Sequence, residues 1–154
     1  MLSLSKYSKL DSIKEDWKYL YNQNRSIPPF LEYDYFKRTV KLSYYYRIID
    51  RCKIRYYVIR KNNIPIMIAP ILHYTNGTTE LFGRYNGYNY SDFLYDTTYP
   101  LDKAWEMLMS EIKSLSLYKV KADSRIIELA DKNTLTQIQN VAIHFGTDYD
   151  IYLV

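Results

Sequence analysis

The stretch IRYYVIRKNNIPIMIAPILHYTNGTTELFGRYNGYNYSDFLYD, residues 54–96, decides the fold. It opens with Ile54 to Arg60, rich in aromatic and β-branched side chains, which predicts a strand. Lys61-Asn62-Asn63 reads as a turn. Ile64 to Tyr74 is a longer and largely apolar run, the pattern of a central strand buried on both faces. Pro65 and Pro70 each remove a ladder donor, so they are expected at the strand's start, at a bulge or on an open side. Asn76-Gly77 is a strong hairpin signal, and Thr79 to Gly83 follows as a third strand. From Gly83 to Asp96 the chain then concentrates turn formers, hydrogen-bonding aromatics and a carboxylate where a strand should end, with Tyr90 to Tyr95 strand-like.

Helices flank this meander. Ser12 to Gln23 places Ile13, Trp17, Leu20 and Tyr21 on one helical face, and Ser12 with Glu15 has the form of a capping box. Ile27-Pro28-Pro29 stops it. Leu31 to Ser43 predicts a second helix with Phe36 and Val40 inward. Beyond the meander, Pro100 to Leu117 carries Leu101, Ala104, Trp105, Leu108, Ile112 and Leu115 as one apolar stripe and predicts a long helix. Tyr118 to Ala122 predicts a strand, Asp123 or Ser124 caps a short helix through Leu129, and Val141 to Phe145 predicts a final short strand. The sum is a mixed α/β domain of the α+β type, a mostly antiparallel sheet flanked by helices.

Composition bounds the function. The chain has 154 residues, enough for one domain with a real core, and 47% hydrophobic against 25% charged residues is ordinary globular balance. No apolar run approaches the roughly 20 residues of a membrane span, and the N-terminus shows no secretory pattern. Cys52 is the single cysteine, so an intrachain disulfide is impossible and a cytoplasmic location is expected. The nineteen tyrosines accompany abundant Lys, Ile and Asn, as an AT-rich genome would encode, although a tyrosine-lined glycan or nucleic-acid surface is the alternative. A net charge of +4 is modest, and nucleic acid is not an expected partner. The one basic cluster, Arg47, Arg51, Lys53, Arg55, Arg60 and Lys61, reads as a solvated face, with anion binding as the minor alternative.

Known catalytic patterns are scarce. His73 and His144 are the two histidines, each inside a strand-like run, and no metal-ligand spacing accompanies them. No nucleophile elbow, Walker loop or dinucleotide fingerprint occurs. Cys52 has basic neighbours but no partner histidine is signalled. No catalytic residue, cofactor-binding residue or metal ligand is assigned from the residues themselves.

The order of segments carries a resemblance. A helix with Trp17 and Leu20 is followed by Pro29-Phe30-Leu31 and a helix with Tyr35-Phe36. Then come Val58-Ile59-Arg60, Ile66 to Leu72, Leu81-Phe82-Gly83 and Tyr88 to Tyr95. This order resembles the N-terminal half of bacterial GNAT-type acyltransferases related to the CelD proteins of cellulose biosynthesis and to the FemAB-like enzymes. The likeness runs from about Trp17 to Tyr152. It implies a GNAT-like fold, two such halves in the complete enzyme, an acyl-CoA donor site in the second half and an acceptor cleft shaped by the first. The segment Tyr149 to Val154 is similar to the start of the basic helix that leads into the second half. Residues 1–154 are therefore expected to be one N-terminal GNAT-like subdomain, either cut before its partner half or a stand-alone half-domain, and inactive alone.

Arg84-Tyr85-Asn86-Gly87-Tyr88-Asn89 partly fits the Gln/Arg-x-x-Gly-x-Gly/Ala loop by which GNAT enzymes present amides to the acyl-CoA pyrophosphate. That loop needs a helix directly after it; a strand-like run follows here and the last position is Asn, so the match is set aside. The resemblance leaves Tyr88, Asn89, Tyr90 and Asp92 as acceptor-side candidates. For Asp92 the competing reading is a turn or cap carboxylate satisfied by nearby amides. The expected function is the acceptor side of an acyl-CoA- or acyl-carrier-dependent N-acyltransferase, with the missing second half or a second copy as partner. A non-catalytic dimerisation module, its sheet completed across the pair near Ile151 and Leu153, is the alternative.

Overall fold

Strand β2 (Cys52–Lys61) and strand β3 (Ile64–Tyr74) form the antiparallel hairpin at the centre of the molecule. The computed structural model of the chain describes residues 1–24, 27–46, 51–83, 91–121, 124–134, 138–144 and 148–153. The hairpin turns on Asn62 and Asn63, with φ of 50° and 69°, the left-handed pair that a two-residue turn demands and that asparagine tolerates. Pro65 lies at the start of β3 beside the register shift at Ile59/Arg60, so its missing donor falls at a bulge. The second hairpin turns at Gly77, φ 87°, where Asn76 Oδ1 accepts from the Thr78 amide at 3.0 Å.

Strand β1 (Leu2–Tyr7) pairs with β2, an element that the sequence reading did not assign. On the other side of β3 lie β4 (Thr79–Leu81) and, after a long departure, β5 (Leu94–Tyr95). β4 pairs in parallel with β6 (Leu115–Lys121), then β8 (Asp148–Leu153) and β7 (Ile138–His144) complete the order β1-β2-β3-β4-β6-β8-β7. Every described pairing except β4 with β6 is antiparallel.

Helices cover both faces. Helix α1 (Lys14–Gln23) and helix α2 (Tyr33–Tyr45) pack on the face carrying Ile54, Tyr56 and Val58. Trp17 anchors this layer: it is fully buried, its Nε1 donates to the Leu31 carbonyl at 2.8 Å, and its ring meets Phe36 at 4.5 Å. Helix α3 (Asp102–Ile112) and helix α4 (Arg125–Thr134) pack on the opposite face through Trp105, Leu108, Ile126 and Leu129.

Four expectations need correction. The Ser12–Glu15 capping box does not form, because Leu10–Ile13 winds as a 3-10 turn and Ile13 takes the cap position with no side-chain cap bond. The third helix stops at Ile112 rather than Leu117. Lys113 closes it at φ 66°, and Leu115 enters the core from β6 instead. Tyr90 to Tyr95 is strand only at Leu94–Tyr95 among its described residues. The segment likened to a helix start is β8, paired on both sides by β6 and β7.

Candidate functional site

The sheet is broken where β4 leaves β3. Leu72 pairs with Glu80, and the Phe82 amide donates to the Pro70 carbonyl at 2.9 Å. Pro70 has no N–H to return that bond, so the ladder loses its next rung there. Pairing resumes only at Ile68 with Leu94, and the Asp96 amide then donates to the Ile66 carbonyl at 2.9 Å. Ala69 is thus the one residue of β3 between the Phe82 and Leu94 partners.

The ends of this departure are pinched together. Gly83 has φ 152°, and a Cβ there would collide with Ser91 Oγ and lie 3.0 Å from Ser91 Cβ. Ser91 is 1% exposed, and its hydroxyl has no partner among the described residues.

Beyond the neck, β4 and β6 share a single register pair, Glu80 with Ser116. Past Leu117, β6 pairs with β8 and the β4 line continues into β5 against β3. Among the described residues β5 pairs with β3 alone, so its other edge has no strand partner. Polar side chains gather beside β5. Asp92 is 6% exposed; its Oδ1 accepts from the Phe93 amide at 2.7 Å and from the Ser124 hydroxyl at 3.0 Å. Ser124 Oγ in turn accepts from the Ile126 amide at 3.2 Å, so it caps α4 while holding Asp92. Asn24, buried at the end of α1, donates to the Tyr95 carbonyl at 3.5 Å. Burial first, and the Asp92 carboxylate second, push the Tyr95 phenol pKa up. Arg125 joins α4 to the loop before α3 by donating to the Tyr99 carbonyl at 3.2 Å.

Of the sequence candidates, Asp92 lies in this cluster, its Oδ1 held by the Phe93 amide and the Ser124 hydroxyl. Tyr88, Asn89, Tyr90 and the whole Arg84-to-Asn89 motif lie outside the described residues. Asn24, Tyr95 and Arg125 were not singled out, since each arrives from a separate segment and no local spacing links them. Several tyrosines serve the core, with Tyr33, Tyr56, Tyr57 and Tyr95 buried.

Glycine is absent from the approach to α3. Asp96-Thr97-Thr98-Tyr99-Pro100-Leu101 leads in, Asp96 Oδ1 accepts from the Thr98 amide at 2.8 Å, and Asp102 occupies the first turn. Among the described residues no group of three or more His, Cys, Asp and Glu is placed to hold a metal, and no helix is long and apolar enough to cross a membrane. Cys52 is buried on the α1/α2 side.

Comparison with family models and with curated proteins gave no match. Among solved structures, the chain is similar to the ribosomal-protein-S18-alanine N-acetyltransferase of Escherichia coli. The TM-score is 0.56 at 14% identity, over 98% of this chain and 90% of that one. With its mostly antiparallel sheet, one parallel pair among the described strands and helices on both faces, the chain has a GNAT-like fold.

Proposed function

We propose that this chain is the acceptor-side domain of an acyl-CoA-dependent N-acyltransferase, and that the acyl donor is held by a second GNAT-like domain. The observation that carries this reading is the entry to α3. A pyrophosphate needs free amides and no competing negative charge at a helix N-terminus. Here Asp102 already faces the helix dipole, Asp96 engages the Thr98 amide, and no glycine opens the backbone. These residues do not fit the coenzyme's phosphates.

The acceptor side fits better. Among the described residues β5 pairs with β3 alone and β4 meets β6 at one register pair, which leaves β5 an edge to hydrogen-bond an extended peptide-like acceptor. Asp92 and Ser124 fix the chain ahead of β5, and the resemblance makes Tyr88, Asn89 and Tyr90 the further acceptor-side candidates. Asp92 is thus a positioning residue in this reading.

One observation favours a second reading, a self-sufficient N-acetyltransferase: the structural match spans nearly all of a single-domain-sized neighbour. Acetyl-CoA separates the two. The acceptor-side reading expects no rise in melting temperature at saturating acetyl-CoA and no thiol release with peptide acceptors. A saturable rise, as ligand linkage requires of binding to the native state, would overturn it in favour of the second.

A further inference from the structure

The basic cluster noted in the sequence divides in the fold. Arg60 pairs with Asp16 and donates to the Tyr7 hydroxyl at 3.2 Å, and Lys61 lies 4.6 Å from the Tyr99 ring centroid. These two are absorbed by structure. Arg51, Lys53 and Arg55 instead line one cavity of about 440 Å³ with Lys6, Tyr57 and His73.

The register explains the convergence. Lys53, Arg55 and Tyr57 alternate onto the α3-side face of β2, His73 is the partner of Lys53, and Lys6 is the partner of Tyr57. Helix α3 ends near this point, with Glu111 in its last turn 3.5 Å from Lys6, an ion pair half exposed at both ends. Among the described residues, Arg51, Lys53 and Arg55 have no acidic partner. The Tyr57 hydroxyl and His73 Nε2 are 2.9 Å apart, giving the site a hydrogen-bonding pair of a buried tyrosine and a half-buried histidine. Cations on a merely solvated face would diverge into water. Here they converge on a concavity, where low-dielectric walls focus their field, and its volume suits a small molecule.

We propose that this cavity binds a phosphate-bearing small molecule, held by Arg51, Lys53 and Arg55 with the Tyr57–His73 pair beside them. Several uncompensated cations suit a dianion or diphosphate better than a single carboxylate, and arginine forks match phosphate oxygens. Burial first, then Lys6 and Arg55, hold the His73 imidazole below its ordinary 6.5, with Glu111 opposing. A bound anion reverses the balance, so His73 reports occupancy. This site is independent of the acyl-transfer reading, and its residues are separate from the Asp92 cluster.

The test is NMR titration of the His73 ring in the full chain with inorganic phosphate, diphosphate and adenosine 3′,5′-bisphosphate. Saturable binding is expected, with the His73 pKa moving up on binding. The double variant Arg51→Gln/Lys53→Gln changes two exposed side chains and should weaken binding at least about tenfold, the loss expected when charge-assisted bonds are removed. Arg38→Gln/Lys41→Gln, on α2, should bind as the parent does. Tighter binding of the nucleotide than of inorganic phosphate, lost in the double variant, identifies a nucleotide ligand; equal binding identifies a simple phosphate ester. The proposal is overturned if none of the three anions binds, if the double variant binds unchanged, or if only single-stranded oligonucleotide binds.

Discussion

Along one edge β3 pairs with β2 from end to end, interrupted only by the bulge at Ile59/Arg60; along the other it holds β4, loses its partner opposite Ala69 and regains one at β5. The same residues face both neighbours, so the difference does not lie in β3's apolar content. It lies in one missing donor. Pro70 accepts from Phe82 but cannot answer, and the strand leaves the sheet at the next residue, Gly83. The intact edge builds the core. The broken edge supplies the polar residues beside β5, at the cost of a buried Ser91 hydroxyl without a partner among the described residues.

The neck of the insertion is the sharpest place to break this arrangement. Gly83→Ala should destabilise by about 3 kcal/mol, since the new Cβ overlaps Ser91 and the backbone favours glycine. Gly77→Ala, with nothing within 4 Å and only its positive φ to accommodate, should cost about 1 kcal/mol. Urea melts of both variants measure the gap; equal losses would show that the pinch does not matter.

Ser124→Ala comes next. It removes both the cap on α4 and the donor to Asp92, and should cost about 1–2 kcal/mol. Asp92→Asn keeps an acceptor for the Phe93 amide and the Ser124 hydroxyl, and should cost less than Ser124→Ala. The reverse order in chemical denaturation would mean that charge, rather than acceptance, holds the neck.

The smallest effect is expected at the proline itself. In Pro70→Ala the restored N–H can donate to Phe82, offsetting the greater freedom of the unfolded chain, so stability should change by less than about 1 kcal/mol. The readout is hydrogen exchange. A slowly exchanging amide at position 70 supports the missing-rung account, and a rapidly exchanging one removes it.

What the sequence disclosed follows the range of the forces involved. Asn62-Asn63 and Asn76-Gly77 were legible because a turn's backbone demand is met by its own residues. The strands β2 and β3 were legible because burial on a pleat leaves a period in the chain. Helix α3 was read too long for the same reason: Leu115 continues the apolar stripe past Ile112, while the left-handed Lys113 that ends the helix leaves no local signature. The Ser12–Glu15 box failed because the Leu10–Ile13 turn took its place. At the candidate site, Asp92 was visible but its role was not. Its hydroxyl partner lies at Ser124, and Asn24 reaches Tyr95 from the far end of α1; such pairings exist only after the sheet has assembled.

The position of β8 bears on how the molecule is made. Of the eight described strands it leaves the ribosome last, yet it sits between β6 and β7, both translated before it. β7 and β8 are consecutive and antiparallel, so they can pair as a hairpin whose β8 edge then docks on β6 once Asp148–Leu153 has been made. The β2–β3 and β7–β8 hairpins join strands close in sequence and can form early, whereas β1 must find β2 across α1 and α2, a long-range pairing of the slow kind.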